Sequence, residues 1–89
     1  MYVENLESPR SGEPVKNQFA IYCRDSHGNN VICFQSYKTL IAVKDVNMGI
    51  VKVDARMRHY SRTTSKYLNV FLNNYCYGEK VIEVEDLDV

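Results

Sequence analysis

The sequence predicts an α+β fold in which an antiparallel sheet of three to five strands packs against one helix. Segments in the first half of the chain alternate apolar and polar residues, which is the two-residue period of a half-buried strand. A later segment repeats its apolar residues at about 3.6 positions, the period of an amphipathic helix. Turn-forming residues separate these segments. We therefore expect strands at about 18–25, 31–36, 39–45 and 49–54, a helix at about 62–76, and a candidate fifth strand at about 80–84.

Length and composition indicate a single compact domain. The chain has 89 residues, of which 45% are hydrophobic, and it contains seven tyrosines and three phenylalanines but no tryptophan, which suits one modest core. No apolar run approaches the ~20 residues that a membrane span needs, and no basic-then-apolar leader opens the chain. We expect a cytoplasmic protein with no membrane contact, built as a flexible lead-in at 1–16, one α+β domain at 17–85 and an acidic tail at 86–89.

The strand predictions rest on alternation and on turn residues. Phe19, Ile21 and Cys23 alternate with their neighbours, and the turn-favouring run Asp25–Asn30 follows them. Thr39–Val43 is an almost continuous apolar run, which is typical of a strand buried on both faces. Before these strands, a turn-rich and loosely attached segment is predicted from Pro9, Gly12 and Pro14.

The stretch Tyr60–Leu72 is the most convincing helix. Ser61 is the best candidate N-cap, with Thr63 as a competitor, because a hydroxyl there accepts a hydrogen bond from an amide of the first turn. Gly78 is placed to end the helix. The apolar side chains expected to lie on the sheet fall within one stripe of the helix surface, about 140° wide. They are Tyr67, Leu68, Phe71, Leu72 and Tyr75.

Catalytic and metal-binding patterns are missing from the sequence. Nucleophilic catalysis needs a serine or cysteine beside a base, but the chain has only two histidines and no Gly-x-Ser-x-Gly setting. Its three cysteines are an odd number without a Cys-x-x-Cys pair, which favours buried or half-buried thiols over a disulfide framework or a zinc site. We therefore expect no enzyme activity, no metal and no cofactor.

Charge is distributed unevenly although the formal net charge is zero. Residues 55–78 contain four Lys or Arg and no acid, whereas residues 79–89 contain five acids and one lysine. Amides, hydroxyls and guanidinium groups at a helix start can together hold a phosphate, and the alternative is a capped helix with an ordinary solvated face. The binding surface predicted from this segment comprises Arg56, Arg58, His59, Arg62, Thr63, Lys66, Asn69 and Asn73.

Several fragments of the chain resemble a known group of proteins. They are Phe34–Tyr37, Ile41-Ala42 and the run Tyr-Ser-Arg-Thr-Thr-Ser-Lys-Tyr at 60–67, with Phe71-Leu72 following. With these fragments the chain resembles, over residues of about 17–73, a family of short uncharacterised proteins encoded by phages, prophages and plasmids of Gram-positive bacteria. Members of that family often carry an aromatic residue where this chain has Arg58. The resemblance implies a mobile-element origin and a role in phage–host conflict or element maintenance, and it transfers no catalytic residue.

Three kinds of partner are compatible with these features. The preferred hypothesis is a non-enzymatic inhibitor or adaptor that binds a host protein in the host cell cytoplasm, because tyrosine and arginine are favoured interface residues. The tyrosines expected on the surface are Tyr2, Tyr22, Tyr37 and Tyr77. The alternative is a nucleic-acid-binding protein that uses the basic helix N-terminus at 56–66. Self-association along a free sheet edge, giving a homodimer, is an option that the sequence leaves open.

Overall fold

The computed structural model describes residues 1–87, except for the side chains of Met57 and Arg58. The elements in chain order are β1 (Tyr2–Glu7), β2 (Pro14–Arg24), β3 (Asn30–Ser36), β4 (Thr39–Asp45), β5 (Ile50–Asp54), a short 3-10 helix (Ala55–His59), α1 (Arg62–Tyr75) and β6 (Lys80–Val84). The predicted α+β class with one α-helix is therefore confirmed. No described helix has the length and apolar character that crossing a bilayer requires.

The strands form one sheet in which spatial order follows chain order, from β1 at one edge to β6 at the other. Neighbouring strands are antiparallel from β1 to β5, and the pairs from β2 to β5 are those that the sequence predicts. β6 instead pairs with β5 in parallel, because the 3-10 helix and α1 carry the chain back along the sheet before it re-enters in the same direction. The sheet is thus mixed and six-stranded, where the sequence predicts an antiparallel sheet of three to five strands.

The additional strand is β1, which lies within the segment 1–16 that the sequence predicts to be a flexible lead-in. Leu6 is only 1% exposed and belongs to the core, and Glu4 accepts a hydrogen bond from the Tyr22 hydroxyl on β2 at 2.9 Å. The two prolines favour a loop, yet Pro14 occupies the first position of β2, where a strand tolerates proline. β1 is thus an integral part of the sheet.

Alternation along the strands gives the sheet two different faces. Phe34 on β3 pairs with Ala42 on β4 on the side of α1, whereas the adjacent pair, Cys33 and Val43, lies on the opposite side. On the α1 side the rings of Phe34 and Phe71 stack with their centroids 5.6 Å apart. The main core consists of Leu6, Ala20, Phe34, Ile41, Ala42, Val51, Val53, Tyr67, Leu68, Phe71 and Cys76. The opposite face holds a smaller buried group, the second cluster, formed by Val31, Cys33 and Val43.

α1 begins at the predicted residue and ends one residue earlier than predicted. Ser61 is the N-cap, and its hydroxyl accepts a hydrogen bond from the Thr64 amide at 3.2 Å. Beyond the other end, Gly78 adopts a positive φ of 76°, which lets the chain leave the helix. The Lys44 ammonium on β4 donates to the Tyr75 carbonyl. A positive charge therefore binds at the C-terminal end of the helix, where the helix dipole is negative.

Gln18 is a buried polar side chain whose amide has no hydrogen-bond partner among the described residues. It is fully buried next to Ser36 in the β2–β3 pair, and both its amide nitrogen and its amide oxygen are unsatisfied there. An unsatisfied buried polar group costs about 1–3 kcal/mol. Replacing Gln18 with methionine, which has a similar size, should therefore raise the free energy of unfolding by about 1 kcal/mol, as measured by urea denaturation.

Gln35 provides the matched control for this substitution. Its side-chain amide donates to the Tyr37 carbonyl at 2.8 Å, so Gln35→Met removes a hydrogen bond instead of an unsatisfied group. We expect that variant to be no more stable than the wild type. An equal gain in stability from Gln18→Met and Gln35→Met would show that the unpaired amide is not the cause.

Candidate functional site

The fragment 60–67 has mainly a structural role. Thr64 is buried, and its hydroxyl lies 2.8 Å from the hydroxyl of Ser36 at the end of β3. The Ser61 hydroxyl donates to the same Thr64 oxygen at 3.2 Å, so three hydroxyl groups join the start of α1 to the sheet. The fragment that carries the family resemblance therefore determines how α1 docks, and Phe34–Tyr37 supplies the other side of the contact.

Two adjacent threonines give a matched test of this structural role. Thr64→Val preserves the shape of the side chain but leaves the buried Ser36 hydroxyl without this partner, so we expect a loss of about 1–2 kcal/mol of unfolding free energy. Thr63 is exposed, and Thr63→Val should change stability by less than about 0.5 kcal/mol. Urea denaturation of the two variants measures the difference, and equal effects would contradict the role assigned to Thr64.

A buried carboxylate holds the segment between β5 and α1. Asp54 is 3% exposed and accepts hydrogen bonds from the Arg56 side chain at 3.1 and 2.9 Å. The Tyr60 hydroxyl donates to the same carboxylate at 2.7 Å. The hydrogen-bonded Arg56 guanidinium holds the pKa of Asp54 well below its usual range, and the same pairing raises the pKa of Arg56. Arg56 is therefore paired within the fold, which reduces its availability for a phosphate.

The other residues of the predicted binding surface lie on or beside the outer face of α1. Those that are exposed are His59, Arg62, Thr63, Lys66, Asn69 and Asn73. The structure thus brings Arg62 and Lys66 together one turn apart, in line with the two asparagines. The side chain of Arg58 lies outside the described residues. Ser61 and Thr64 bond to each other, so the hydroxyls left to meet a ligand at the helix start are fewer than the sequence suggests.

The tyrosines predicted to be exposed divide into two groups. Exposed side chains are found at Tyr2, Tyr37 and Tyr77. Tyr22 is half-buried instead, because its hydroxyl donates to Glu4 and its ring centroid lies 6.3 Å from that of Tyr75. The Tyr75 hydroxyl also donates to Glu4, at 3.3 Å, and burial together with the Glu4 charge raises the pKa of Tyr75. Tyr22 therefore joins β1 and β2 to α1 and is not part of an open surface.

A group of exposed apolar side chains lies at the end of the molecule where α1 finishes, opposite the basic helix start. We call this group, formed by Val46, Met48 and Tyr77, the apolar end. Met48 is 69% and Tyr77 is 89% exposed. Their two turns are adjacent, since a Cβ atom built on Gly49 would lie 3.3 Å from the Glu79 carboxylate in the turn that follows α1. Two adjacent turns thus each present a large exposed side chain to solvent, Met48 on one and Tyr77 on the other.

The turn that carries Met48 is held in place by polar groups. The Asp45 carboxylate accepts hydrogen bonds from the amides of Asn47 and Met48, both at 3.0 Å. Lys44 and Glu79 form an ion pair at 2.8 Å beside the apolar end, so these two charges neutralise each other. Sequence reasoning missed the apolar end because turns have no hydrophobic period. The available signal was an apolar residue, Met48, inside a turn where polar residues are the rule.

The cysteines are free thiols, as the sequence predicts, with Cys23 half-buried. Burial raises the pKa of Cys33 and of Cys76 to about 12, so both thiols are protonated at neutral pH and are poor nucleophiles. Within the part of the chain that the structure describes, no group of three or more His, Cys, Asp or Glu side chains is placed to hold a metal ion.

Comparison with known proteins gives one family. The model of a family of unknown function (DUF8033) matches residues 10–88. No curated protein and no solved structure matches the chain. The matched range includes both sides of the Ser36–Thr64 contact and every element except β1.

Proposed function

We propose that this chain, which belongs to that family of unknown function, is a small non-enzymatic protein that binds and modulates a host protein. In this proposal it acts as an inhibitor or adaptor in the cytoplasm of a Gram-positive bacterium, on behalf of a phage or plasmid. The observation that carries the proposal is the apolar end, where Met48 and Tyr77 are 69% and 89% exposed on adjacent turns.

The chemistry of the apolar end suits a protein partner. A tyrosine supplies a large rigid contact area with a polar tip, and such residues dominate the binding energy of protein interfaces. Methionine adapts its shape to a partner because its side chain is unbranched and polarizable. Lys44 and Glu79 neutralise each other in an ion pair beside these side chains, and the Asp45 carboxylate is bound by the amides of its own turn.

A non-enzymatic role is supported by how the fold uses its reactive groups. The thiols of Cys33 and Cys76 are buried and protonated at neutral pH. The Asp54 carboxylate is bound by Arg56 and Tyr60. These groups therefore serve the stability of the fold, which supports a non-enzymatic role.

The mobile-element setting is supported by the fragments that resemble phage and plasmid proteins. Ser36 and Thr64, which belong to two different fragments, meet through their hydroxyl groups at 2.8 Å. Phe34 and Phe71 also come from separate fragments, and their rings stack. The fragments therefore form one contact between β3 and α1, so the resemblance concerns how the domain is built and leaves the partner to be found by experiment.

Affinity capture from a lysate of Gram-positive host cells tests the proposal. Tagged wild-type protein is compared with a Met48→Asp plus Tyr77→Asp variant, and captured proteins are quantified by mass spectrometry. We expect the wild type to retain one protein in near-stoichiometric amount, which then re-forms a complex from purified components. The double variant should lose it, because two charges at the apolar end must be desolvated on binding.

The matched control changes two exposed residues at the other end of the molecule, Arg62→Glu plus Lys66→Glu. This variant should capture the same protein as the wild type. Capture that is lost in the control but kept in Met48→Asp plus Tyr77→Asp would contradict the assignment of the apolar end, and wild-type protein that captures nothing above background would contradict the proposal itself.

Nucleic-acid binding is a second candidate function, favoured by the exposed cations on the outer face of α1. Arg62 and Lys66 lie one turn apart in a segment, 55–78, that contains no acid. Because Arg56 is paired with Asp54, two or three phosphates would be contacted, and each contributes about 0.9 to the slope of log affinity against log salt. Binding of this kind should show a slope of about 2–3 and vanish in Arg62→Glu plus Lys66→Glu, as measured by fluorescence anisotropy. An affinity that does not change with salt concentration would exclude this mode of nucleic-acid binding.

A further inference from the structure

A surface cleft of about 370 Å³ lies at the end of the molecule where α1 begins. Its lining residues come from the β3–β4 turn, from the start of the 3-10 helix and from the chain after β6, and they include Lys38, Leu40, Arg56, Glu85, Asp86 and Leu87. One wall therefore carries two cations, and the other wall is an acidic segment of the same chain. We call Glu85–Leu87 the acidic segment.

The acidic segment crosses the end of the sheet to reach this position. β6 is an edge strand next to β5, yet Leu87 packs against the second cluster together with Leu40 of β4. The chain after β6 must therefore pass the end of β5, where Arg56 lies. This path places Glu85 and Asp86 in the same cleft as Lys38 and Arg56, and the charge of Asp86 contributes to the raised pKa of Arg56.

We propose that this cleft is a docking site for an acidic peptide segment with an aliphatic anchor, and that the acidic segment is its internal, exchangeable occupant. The inference goes beyond the proposed function, because the cleft lies at the opposite end of the molecule from Met48 and Tyr77. An experiment can therefore contradict the proposed docking site without contradicting the proposed function, and the reverse. A partner protein that presents a leucine beside two or three carboxylates would compete with Glu85–Leu87 for the same contacts.

The charges of the cleft favour an acidic occupant. With the acidic segment in place, the cleft holds two cations, Lys38 and Arg56, and three anions, Asp54, Glu85 and Asp86. Without Glu85 and Asp86, the two cations exceed the single anion Asp54 by one charge. The second cluster would then also lose the contact with Leu87. An acidic peptide with an aliphatic side chain would restore both the charge balance and the apolar contact.

The acidic segment is held weakly enough to exchange. Glu85 and Asp86 are exposed, and Leu87 is only half-buried. Exposed ion pairs contribute little in water because solvent screens them. One aliphatic side chain therefore provides most of the attachment, and a competing segment with a better anchor can displace it.

A labelled peptide with the sequence of residues 83–89, Glu-Val-Glu-Asp-Leu-Asp-Val, is the probe for the cleft. Its binding to the full chain is followed by fluorescence polarisation. Wild-type protein should bind the peptide weakly, because its own segment competes at a high effective concentration. The Leu87→Asp full chain, which releases the segment, should bind about tenfold more tightly, and adding Lys38→Glu should return the affinity to the wild-type level.

Two further outcomes decide against the proposal. Equal peptide affinity in wild type and Leu87→Asp would show that the acidic segment does not occupy the site. Equal affinity for a peptide in which alanine replaces the leucine would show an unspecific anion site without an apolar anchor. If circular dichroism shows that Leu87→Asp does not fold, the Glu85→Lys plus Asp86→Lys full chain replaces it, since like charges beside Lys38 and Arg56 also release the segment, and the same tenfold gain is expected.

Discussion

Replacing Phe71 with alanine should lower the free energy of unfolding by about 3–5 kcal/mol. Phe71 is completely buried, and its ring stacks between those of Phe34 and Tyr75, with centroid distances of 5.6 and 5.2 Å. The substitution removes a large apolar surface and leaves a cavity between α1 and β3, which neighbours fill only in part. A domain of this size is stable by roughly 5–15 kcal/mol, so the variant should lose a substantial fraction of its stability.

Urea denaturation followed by circular dichroism measures this loss. Asn73→Ala is the matched control, because it introduces the same residue on the exposed side of the same helix and should change stability by less than about 0.5 kcal/mol. Similar small effects at Phe71 and Asn73 would mean that the helix does not pack on the sheet as described.

Replacing Asp54 with asparagine should cost about 2 kcal/mol, the second-largest expected loss. The neutral amide keeps the shape of the side chain but gives up the charge-assisted hydrogen bonds from Arg56 and Tyr60. Both partners hold the segment that leads from β5 to α1. Glu83→Gln, an equivalent change at an exposed position, should leave stability within about 0.5 kcal/mol of wild type.

The effect of Asp54 should also depend on pH. The folded-state pKa of Asp54 lies below its unfolded value, so the folded protein binds this proton less readily than the unfolded chain. Its stabilising contribution is therefore complete above the unfolded pKa of about 3.9 and is lost as the pH falls through the folded pKa. The stability difference between wild type and Asp54→Asn should be constant from about pH 5 to pH 7 and shrink below about pH 4. A difference that grows in acid would contradict the assignment.

Much of the fold is predictable because local signals and packing agree. Ser61 has the hydroxyl that an N-cap needs, and α1 starts directly after it. The alternation of Phe19, Ile21 and Cys23 predicts β2, but Ile21 and Cys23 are half-buried on the face away from α1, and the more deeply buried face carries Gln18 and Ala20. The sequence pattern therefore predicts the strand but not which of its faces packs against α1.

β1 and β6 show where sequence patterns carry less information. β1 has six residues and a register shift between Asn5 and Glu7, so its alternation is too short and irregular to stand out beside two prolines. The parallel pairing of β6 depends on where α1 returns the chain. The residues of Lys80–Val84 alone do not indicate whether the strand pairs in parallel or antiparallel. Such features follow from the tertiary arrangement, so local sequence does not reveal them.

The candidate site is less predictable than the fold. The sequence shows that Arg56 and Asp54 are two residues apart but not that they pair, because that depends on the turn the chain makes after β5. The acidic segment likewise reaches the cleft beside Arg56 because Leu87 packs against the second cluster. The apolar end arises from two turns that are distant in sequence and adjacent in space.

Amide hydrogen exchange on the purified complex with the captured host protein tests most directly where this protein binds its partner. We predict that binding slows exchange in the turns 45–49 and 76–79, which carry the apolar end, and leaves the amides of 62–73 unchanged. Slower exchange confined to 62–73, with the two turns unaffected, would contradict it and assign function to the basic outer face of α1.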